Sequence, residues 1–351
     1  MTVDADGPGE AAVGVFAGAA RSAQGFGDRL AEHVVRRQSQ LVLGLDPDPA
    51  LLWPHALELV GGVDDQSAPP AVRAAAAVSA HCRLLIDAVA EHCVAVKPQL
   101  ACFERLGAPG WSALGGVVSH AKDAGLLVIA DAKRGDVDVS AHAYAQAFLG
   151  STPSPFGTIP GLGADAMTVS PWLGMDSLEP FVALARAVGA GLFVLVRNSN
   201  PGAAELQDHR LAGSAGTVSD LAARSVARLG ASALGAHGLS DVGAVVGATA
   251  PQHLDRLREL MPHAVLLLPG VGAQGGRVED LAAAFALGPA GGLIAVSRAL
   301  AQAHRRSGGD PAAAARSEAA RLREQAWTLA AGAQRAVGPP ASVHRSFTPP
   351  A

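Results

Sequence analysis

Eight short runs of apolar, largely β-branched residues recur along the chain, and they constrain the fold more than any other feature. They lie at 41–46, 94–98, 126–133, 166–171, 192–199, 242–249, 264–272 and 292–300. Between most of them stand stretches with helical spacing and composition. Apolar strands that alternate with helices are typical of a parallel sheet, and eight strands are the number that closes a barrel. We therefore predict an α/β chain, a (β/α)8 TIM barrel, with an open doubly wound sheet as the alternative.

The domain organisation follows from the same pattern. A single barrel domain is expected over 21–335, in which the helical stretch 310–335 closes the ring. Residues 1–20 and 336–351 are rich in Gly, Pro and Ala, which predicts flexible tails. Residues 151–163 are rich in Pro and Gly and are expected to form a long loop before the fourth strand.

Composition excludes several functional classes. The net charge of −4 gives no general attraction to nucleic acid or to an anionic membrane. No apolar run reaches the roughly 18 residues of a membrane span, and the acidic N-terminus has no apolar segment typical of a secretory signal. Three cysteines in a long chain favour a reducing compartment. We expect a soluble cytoplasmic protein.

Polar residues follow the predicted strands where each strand ends, on the face that carries the chemistry of barrel enzymes. They are Asp46, Lys97, Asp131, Lys133, Ser170, Asn198, Thr249, Gln274 and Arg298.

The third strand runs into the segment "ADAKRGDV", which is crowded with charge. Asp131 and Lys133 are two residues apart, so on a regular strand they point to the same side, about 6–7 Å apart. Asp136 follows, and Lys97 ends the second strand. The chain has 27 basic residues but only three lysines, two of which stand at these strand ends. A surface salt-bridge cluster is the simpler alternative, but such pairs contribute little stability, so we favour a functional network of alternating charges.

The segment "PGVGAQGG" places Gly270, Gly272 and Gly275 in a G-x-G-x-x-G spacing. This spacing alone is weak evidence for a dinucleotide site, because that site belongs near the start of a βαβ unit. The loops after the seventh and eighth strands of a barrel usually bind phosphate. Main-chain amides of the glycines, Gln274 and the guanidinium of Arg298 suit a phosphate dianion.

Two His–Cys pairs, at 81–82 and 92–93, raise the possibility of a zinc site. Eleven residues on one helix separate them by about 16 Å, which is too far to share an ion. We assign them to core packing and helix ends, and we predict no metal site.

Taken together, "LGLDPDP", "VKPQLACFE", "ADAKRGDV", "TVSPWLG", "SNPGA", "VVGATAP" and "PGVGAQGG" resemble the motifs of the orotidine 5′-phosphate decarboxylase family, in its longer bacterial subgroup. The matches run in order from residue 41 to about residue 300. The resemblance implies a (β/α)8 barrel that acts as a homodimer with shared active sites. It also implies conversion of orotidine 5′-phosphate to UMP and carbon dioxide in pyrimidine biosynthesis, without metal or organic cofactor.

The resemblance also implies roles for individual residues. Lys133 would protonate C6 of the pyrimidine, and Asp131 would lie beside the substrate carboxylate. Lys97 and Asp46 would bind the ribose hydroxyls, and Ser170 would form a hydrogen bond with the pyrimidine. Asp136 and Ser140 would reach across the dimer interface into the active site of the partner. The phosphate would be bound by Gly272, Gln274 and Arg298.

Two other functions stay open. Magnesium-dependent sugar-phosphate decarboxylases and aldolases of the same suprafamily share D-x-K-x-x-D, but they carry an acidic metal ligand where this chain has Lys97. A non-catalytic nucleotide-phosphate-binding barrel is the third possibility, although it would not need both lysines among carboxylates.

Overall fold

The computed structural model describes residues 24–62, 68–213 and 216–337. Within them the strands are β1 (Leu41–Leu45), β2 (Ala95–Pro98), β3 (Leu127–Arg134), β4 (Ser151–Thr152), β5 (Ile159–Pro160), β6 (Ala166–Val169), β7 (Gly191–Arg197), β8 (Val242–Val246), β9 (Leu266–Pro269) and β10 (Gly292–Val296).

The α-helices begin with α1 (Phe26–Arg37), α2 (Pro54–Glu58), α3 (Pro70–Val89), α4 (Leu100–Glu104), α5 (Ala108–Asp123), α6 (Asp138–Phe148) and α7 (Glu179–Val188). They continue with α8 (Ala203–Gln207), α9 (Val218–Gly230), α10 (Leu254–Leu260), α11 (Arg298–Ala301), α12 (His304–Ser307) and α13 (Pro311–Val337). Short 3₁₀ helices cover Ala90–His92, Asp176–Leu178, Pro251–His253, Val278–Phe285 and Pro289–Gly291.

Eight of these strands form a closed parallel barrel in the order β1-β10-β9-β8-β7-β6-β3-β2. Closure comes from the pairing of β1 with both β10 and β2. The predicted (β/α)8 barrel is therefore confirmed, and the open-sheet alternative is wrong. Each of the eight apolar runs overlaps one barrel strand.

One predicted loop contains more structure than its composition suggested. Within 151–163, strands β4 and β5 pair as a small antiparallel hairpin, in which Ser151 faces Pro160 and Thr152 faces Ile159. The hairpin lies between α6 and β6, outside the barrel sheet.

Alternation along the strands divides the core into two layers. On β3, Val128 and Ala130 belong to the larger cluster beneath the helices, whereas Leu127 and Ile129 belong to the second cluster. The second cluster fills the barrel interior, because side chains of one strand alternate between its two faces.

Helix α1 covers the N-terminal end of the barrel. Its Phe26, Leu30 and Val34 are buried in the interior cluster, and Phe26 meets Phe193 edge to face with ring centroids 5.9 Å apart. The polar residues at the strand ends lie at the opposite, C-terminal end of the barrel.

The predicted flexible tails fall almost wholly outside the described residues, apart from the last two residues of α13. Among the described helices, none is long and apolar enough to cross a bilayer.

Candidate active site

The interior face of three adjacent strands changes from apolar to polar at the C-terminal end of the barrel. On β3, Leu127 and Ile129 line the interior, and the next residue of the same parity is Asp131. The same step leads from Ala95 to Lys97 on β2, and from Ala166 to Thr168 on β6. Strand geometry alone therefore brings these polar side chains to one place.

Asp131 is the centre of this group. Its carboxylate is 6% exposed and accepts four hydrogen bonds. Oδ1 accepts from Lys133 Nζ at 2.5 Å and from Thr168 Oγ1 at 3.0 Å. Oδ2 accepts from Lys97 Nζ and from Gln99 Nε2, the latter at 3.1 Å. A carboxylate offers about four lone-pair sites, so every acceptor position of Asp131 is used.

The cluster keeps its members charged despite burial. Burial raises the pKa of Asp131, but the charges and hydrogen bonds of Lys97 and Lys133 outweigh this effect and hold the pKa well below its usual value. Burial likewise lowers the pKa of Lys97, and the charges of Asp131 and Asp46 reverse the effect, so the net pKa is raised. At neutral pH the Asp131 carboxylate and the Lys97 ammonium therefore both carry their charges.

The backbone of β3 is irregular at Lys133, which the geometry of a regular strand did not predict. The register between β3 and β6 shifts between Ala130 and Arg134, so the segment that carries Lys133 forms a bulge. Lys133 itself has a φ of 47°, in the left-handed region that non-glycine residues seldom adopt. The expectation of two side chains on one regular strand face is therefore wrong in detail, although the predicted pairing of Asp131 with Lys133 is present. The Lys133 side chain is 44% exposed, so its ammonium borders the open mouth.

Arg134 anchors the end of this bulge. Its guanidinium forms an ion pair with Glu104 of α4 and donates to the carbonyl of Ala132 at 2.8 Å. It also lies over the rings of Tyr144 and Phe148 of α6. These contacts fix the chain immediately after Lys133.

A pocket joins this cluster to the loops after β9 and β10. Lys97, Asp46, Gln274 and Arg298 all line it. In the loop, Gly270, Gly272 and Gly275 have φ angles of 108°, 77° and 92°, which glycine adopts most readily. The N–H of Gly272 donates to the carbonyl of Gly276 at 2.9 Å. This amide therefore shapes the loop in the structure, and its predicted contact with phosphate stays a prediction.

The remaining predicted residues lie at the rim. Ser170 is half-buried, and its N–H donates to the carbonyl of Arg134 at 2.8 Å, which brings it beside the β3 loop. Asp136 is half-buried, and its carboxylate accepts from the N–H of Val137 at 2.8 Å. Ser140 is exposed on α6. Among the described residues, neither Asp136 nor Ser140 forms a hydrogen bond or ion pair with the Asp131 cluster of its own chain.

Three residues of the two His–Cys pairs, His81, Cys82 and Cys93, are buried in the protein core. His81 Nδ1 accepts from the N–H of Trp53 at 3.1 Å, and the two rings meet edge to face. Cys82 and Cys93 are fully buried. Within residues 24–62, 68–213 and 216–337, no group of three or more His, Cys, Asp or Glu side chains is placed to hold a metal ion.

Sequence reasoning missed two members of the cluster, Gln99 and Thr168. Both lie inside motifs quoted above: Gln99 belongs to "VKPQLACFE", and Thr168 is the first residue of "TVSPWLG". Thr168 could have been found by its parity with Ala166 on an interior-facing strand. Gln99 lies just past β2 as a bridge partner of Asp131, which the sequence does not reveal.

A closed parallel barrel whose C-terminal mouth holds a buried carboxylate between two lysines defines a (β/α)8-barrel enzyme. Residues 39–317 match the model of the orotidine 5′-phosphate decarboxylase / HUMPS family. The chain belongs to this family.

Individual relatives agree with the family match. Over 284 residues the chain is 45% identical to the orotidine 5′-phosphate decarboxylase of Rhodopirellula baltica, covering 80% of this chain and 89% of the relative. The structure of Leishmania donovani OMP decarboxylase is similar with a TM-score of 0.63 and 32% identity, covering 87% of this chain and 99% of that one. Leishmania donovani UMP synthase matches with a TM-score of 0.65 and 32% identity over 88% of this chain, which spans 57% of that longer protein.

Proposed function

We propose that this protein is an orotidine 5′-phosphate decarboxylase that forms UMP and carbon dioxide in pyrimidine biosynthesis, with Lys133 as general acid and with neither metal nor organic cofactor. The observation that carries the proposal is the buried Asp131 carboxylate, held between Lys97 and Lys133 at the barrel mouth. A cytoplasmic location fits this role.

The chemistry of the reaction explains why a lysine is needed. When the bond from C6 to the carboxylate breaks, its electron pair stays on C6 in the plane of the ring, where the π system cannot delocalise it. A fixed ammonium stabilises this charge electrostatically and then transfers a proton from Nζ to C6. Arginine cannot release a proton near neutral pH. Asp131, which stays ionised, repels the substrate carboxylate and favours its departure.

The substrate would span the pocket between the cluster and the phosphate loops. Lys97 and Asp46 would bind the ribose hydroxyls, and Gln274 and Arg298 would bind the phosphate; all four residues line the same pocket. Gly272 shapes the loop that would hold the phosphate. Ser170, beside the bulge, would bind the pyrimidine. Binding energy from the phosphate, which is remote from C6, can then serve catalysis.

We further propose a homodimer in which Asp136 and Ser140 complete the active site of the partner. Within the described part of the chain, neither residue forms a hydrogen bond or ion pair with the cluster, although both follow β3 closely in sequence. Apolar side chains around them are exposed, most of all Val139 at 82%. An exposed apolar patch beside a site is typical of a protein contact surface, and a second copy would cover it.

The second candidate function is that of the magnesium-dependent relatives, but the charges of the Asp131 cluster disfavour binding of a metal ion. A metal ion at Asp131 would have to displace one of four hydrogen-bond donors, and it would meet the positive charge of Lys97. A binding-only barrel gives no reason for the left-handed backbone of Lys133, since such strain is typically retained at functional sites.

The direct test adds orotidine 5′-phosphate to purified, chelator-treated protein and follows the loss of substrate absorbance, with carbon dioxide measured in parallel. Turnover that chelation does not reduce supports the proposal. Activity that requires added Mg²⁺ would favour the metal-dependent relatives, and binding of UMP without turnover would favour an inert barrel.

A further inference from the structure

Thr168 occupies a position that connects the backbone of Lys133 to the carboxylate of Asp131. It lies on β6 opposite the bulge of β3 and is 1% exposed. Its Oγ1 accepts a hydrogen bond from the N–H of Lys133 at 2.8 Å and donates to Asp131 Oδ1 at 3.0 Å.

The direction of the second hydrogen bond is fixed by chemistry. A main-chain N–H can only donate, so the hydroxyl oxygen is its acceptor. Asp131 is ionised and can only accept, so the one hydroxyl proton of Thr168 points to it. Lys133 Nζ reaches the same Oδ1 atom at 2.5 Å. A closed ring therefore runs from the Lys133 backbone through Thr168 and Asp131 to the Lys133 ammonium.

This ring accounts for the backbone of Lys133. A left-handed φ at a lysine persists only where its surroundings hold it, and in β3 the bulge removes regular ladder bonds at this point. The hydroxyl of Thr168 supplies the N–H with an acceptor in place of a ladder carbonyl.

The ring also matters when Lys133 gives up its proton. Lys133 then no longer offers Asp131 a positive charge, but the carboxylate keeps its hydrogen bonds from Lys97, Gln99 and Thr168. Because these three donors, one of them the charged Lys97, still stabilise the ionised carboxylate, Asp131 does not compete with the substrate for the proton.

We propose that Thr168 is a positioning residue, whose hydroxyl holds the Lys133 backbone in its left-handed conformation and aligns the ammonium with the Asp131 carboxylate. This inference rests on the proposed function. Thr168 itself is buried beneath Asp131 and would act through these two residues rather than on the substrate.

The test compares Thr168→Val, which keeps the shape but removes the hydroxyl, with Thr168→Ser, which keeps the hydroxyl. Because hydrogen bonds to charged groups are among the stronger ones, we expect Thr168→Val to lower kcat roughly 10- to 100-fold. KM and the Kd for UMP should change less than about threefold, as for a residue that does not touch the ligand. Thr168→Ser should restore kcat to within about threefold of the wild type.

Ser39→Ala is the matched control. Ser39 is also fully buried, and its Oγ accepts from the N–H of Leu41 at 3.0 Å and donates to the carbonyl of His92 at 2.6 Å, at the opposite end of the barrel. Its loss should lower the melting temperature without lowering kcat. Thr168→Ala carries the same expectation as Thr168→Val and replaces it if the valine variant does not fold.

A crystal structure of the Thr168→Val protein gives a readout that does not depend on turnover. We expect the φ of Lys133 to leave the left-handed region, or its Nζ to move out of hydrogen-bond distance from Asp131 Oδ1. An unchanged Lys133 would overturn the inference. So would a kcat of Thr168→Val within threefold of the wild type, a Thr168→Ser variant as slow as Thr168→Val, or an equal loss of kcat in Ser39→Ala. If the wild type does not decarboxylate, the proposed function fails, and the Lys133 geometry still decides the role of Thr168.

Discussion

Replacing Lys133 by glycine should abolish decarboxylation while leaving stability nearly unchanged. The left-handed backbone of Lys133, with its φ of 47°, costs a non-glycine residue about 1–2 kcal/mol, which glycine relieves. Against this, glycine adds about 0.5–1 kcal/mol of unfolded-state entropy. The ion pair that is lost contributes about 0–1 kcal/mol, because the Lys133 side chain is 44% exposed to screening solvent. These terms nearly cancel, so we expect a change within about 1 kcal/mol.

Asp131→Ala is the contrasting variant. It leaves Lys97, a residue that is only 7% exposed, without the carboxylate with which it forms an ion pair. Removing one member of a buried ion pair costs about 3–5 kcal/mol. The two variants thus remove partners from the same cluster with very different effects on stability, although both should be inactive.

The assay is equilibrium unfolding in urea, followed by circular dichroism, for the wild type and both variants under the same buffer conditions. The free energies of unfolding are compared where the denaturant slopes agree. A Lys133→Gly protein destabilised by more than about 2 kcal/mol would refute the reasoning, since Lys133 would then be a structural partner of Asp131 rather than a residue retained for catalysis.

Further expectations concern phosphate binding, site sharing and pH. Arg298→Ala should raise KM for orotidine 5′-phosphate at least about tenfold by removing a charged phosphate contact; unchanged steady-state kinetics would exclude it from the site. Mixing inactive Lys133→Ala and Asp136→Ala subunits should restore activity, because half of the sites in mixed dimers are intact; proven mixed dimers without activity would argue against sharing. Burial lowers the pKa of His81 to about 4, below its unfolded value of about 6.5. Between these values the unfolded chain binds a proton that the native protein does not, so stability should fall by about 3 kcal/mol as the pH drops. His81→Asn, which keeps an acceptor for the Trp53 N–H, should flatten this pH dependence in thermal melts, and an unaltered profile would contradict the assignment.

The barrel was predictable because its pattern is repeated eight times, and each run is buried on both faces. The charged cluster was predictable for a related reason: the ends of parallel strands meet at one face, so Lys97 and Asp131 had to approach each other. The hairpin of β4 and β5 was not predictable, since two-residue strands leave no periodic signal.

The left-handed backbone conformation of Lys133 could not be predicted from the sequence for a different reason. A bulge depends on the register between β3 and β6, which is a property of two strands rather than of one. For the same reason, the role of the Thr168 hydroxyl emerges only when both strands are in place. The predicted contributions of Asp136 and Ser140 concern a second chain, and they stay predictions.

The central claim is that the Lys133 ammonium protonates C6 as carbon dioxide leaves, and single-turnover decarboxylation by Lys133→Ala tests it most directly. With enzyme in excess over orotidine 5′-phosphate, the account predicts no UMP above the uncatalysed background, while the Kd for UMP stays within about threefold of the wild type. Formation of UMP by this variant at a rate near that of the wild type would contradict the claim.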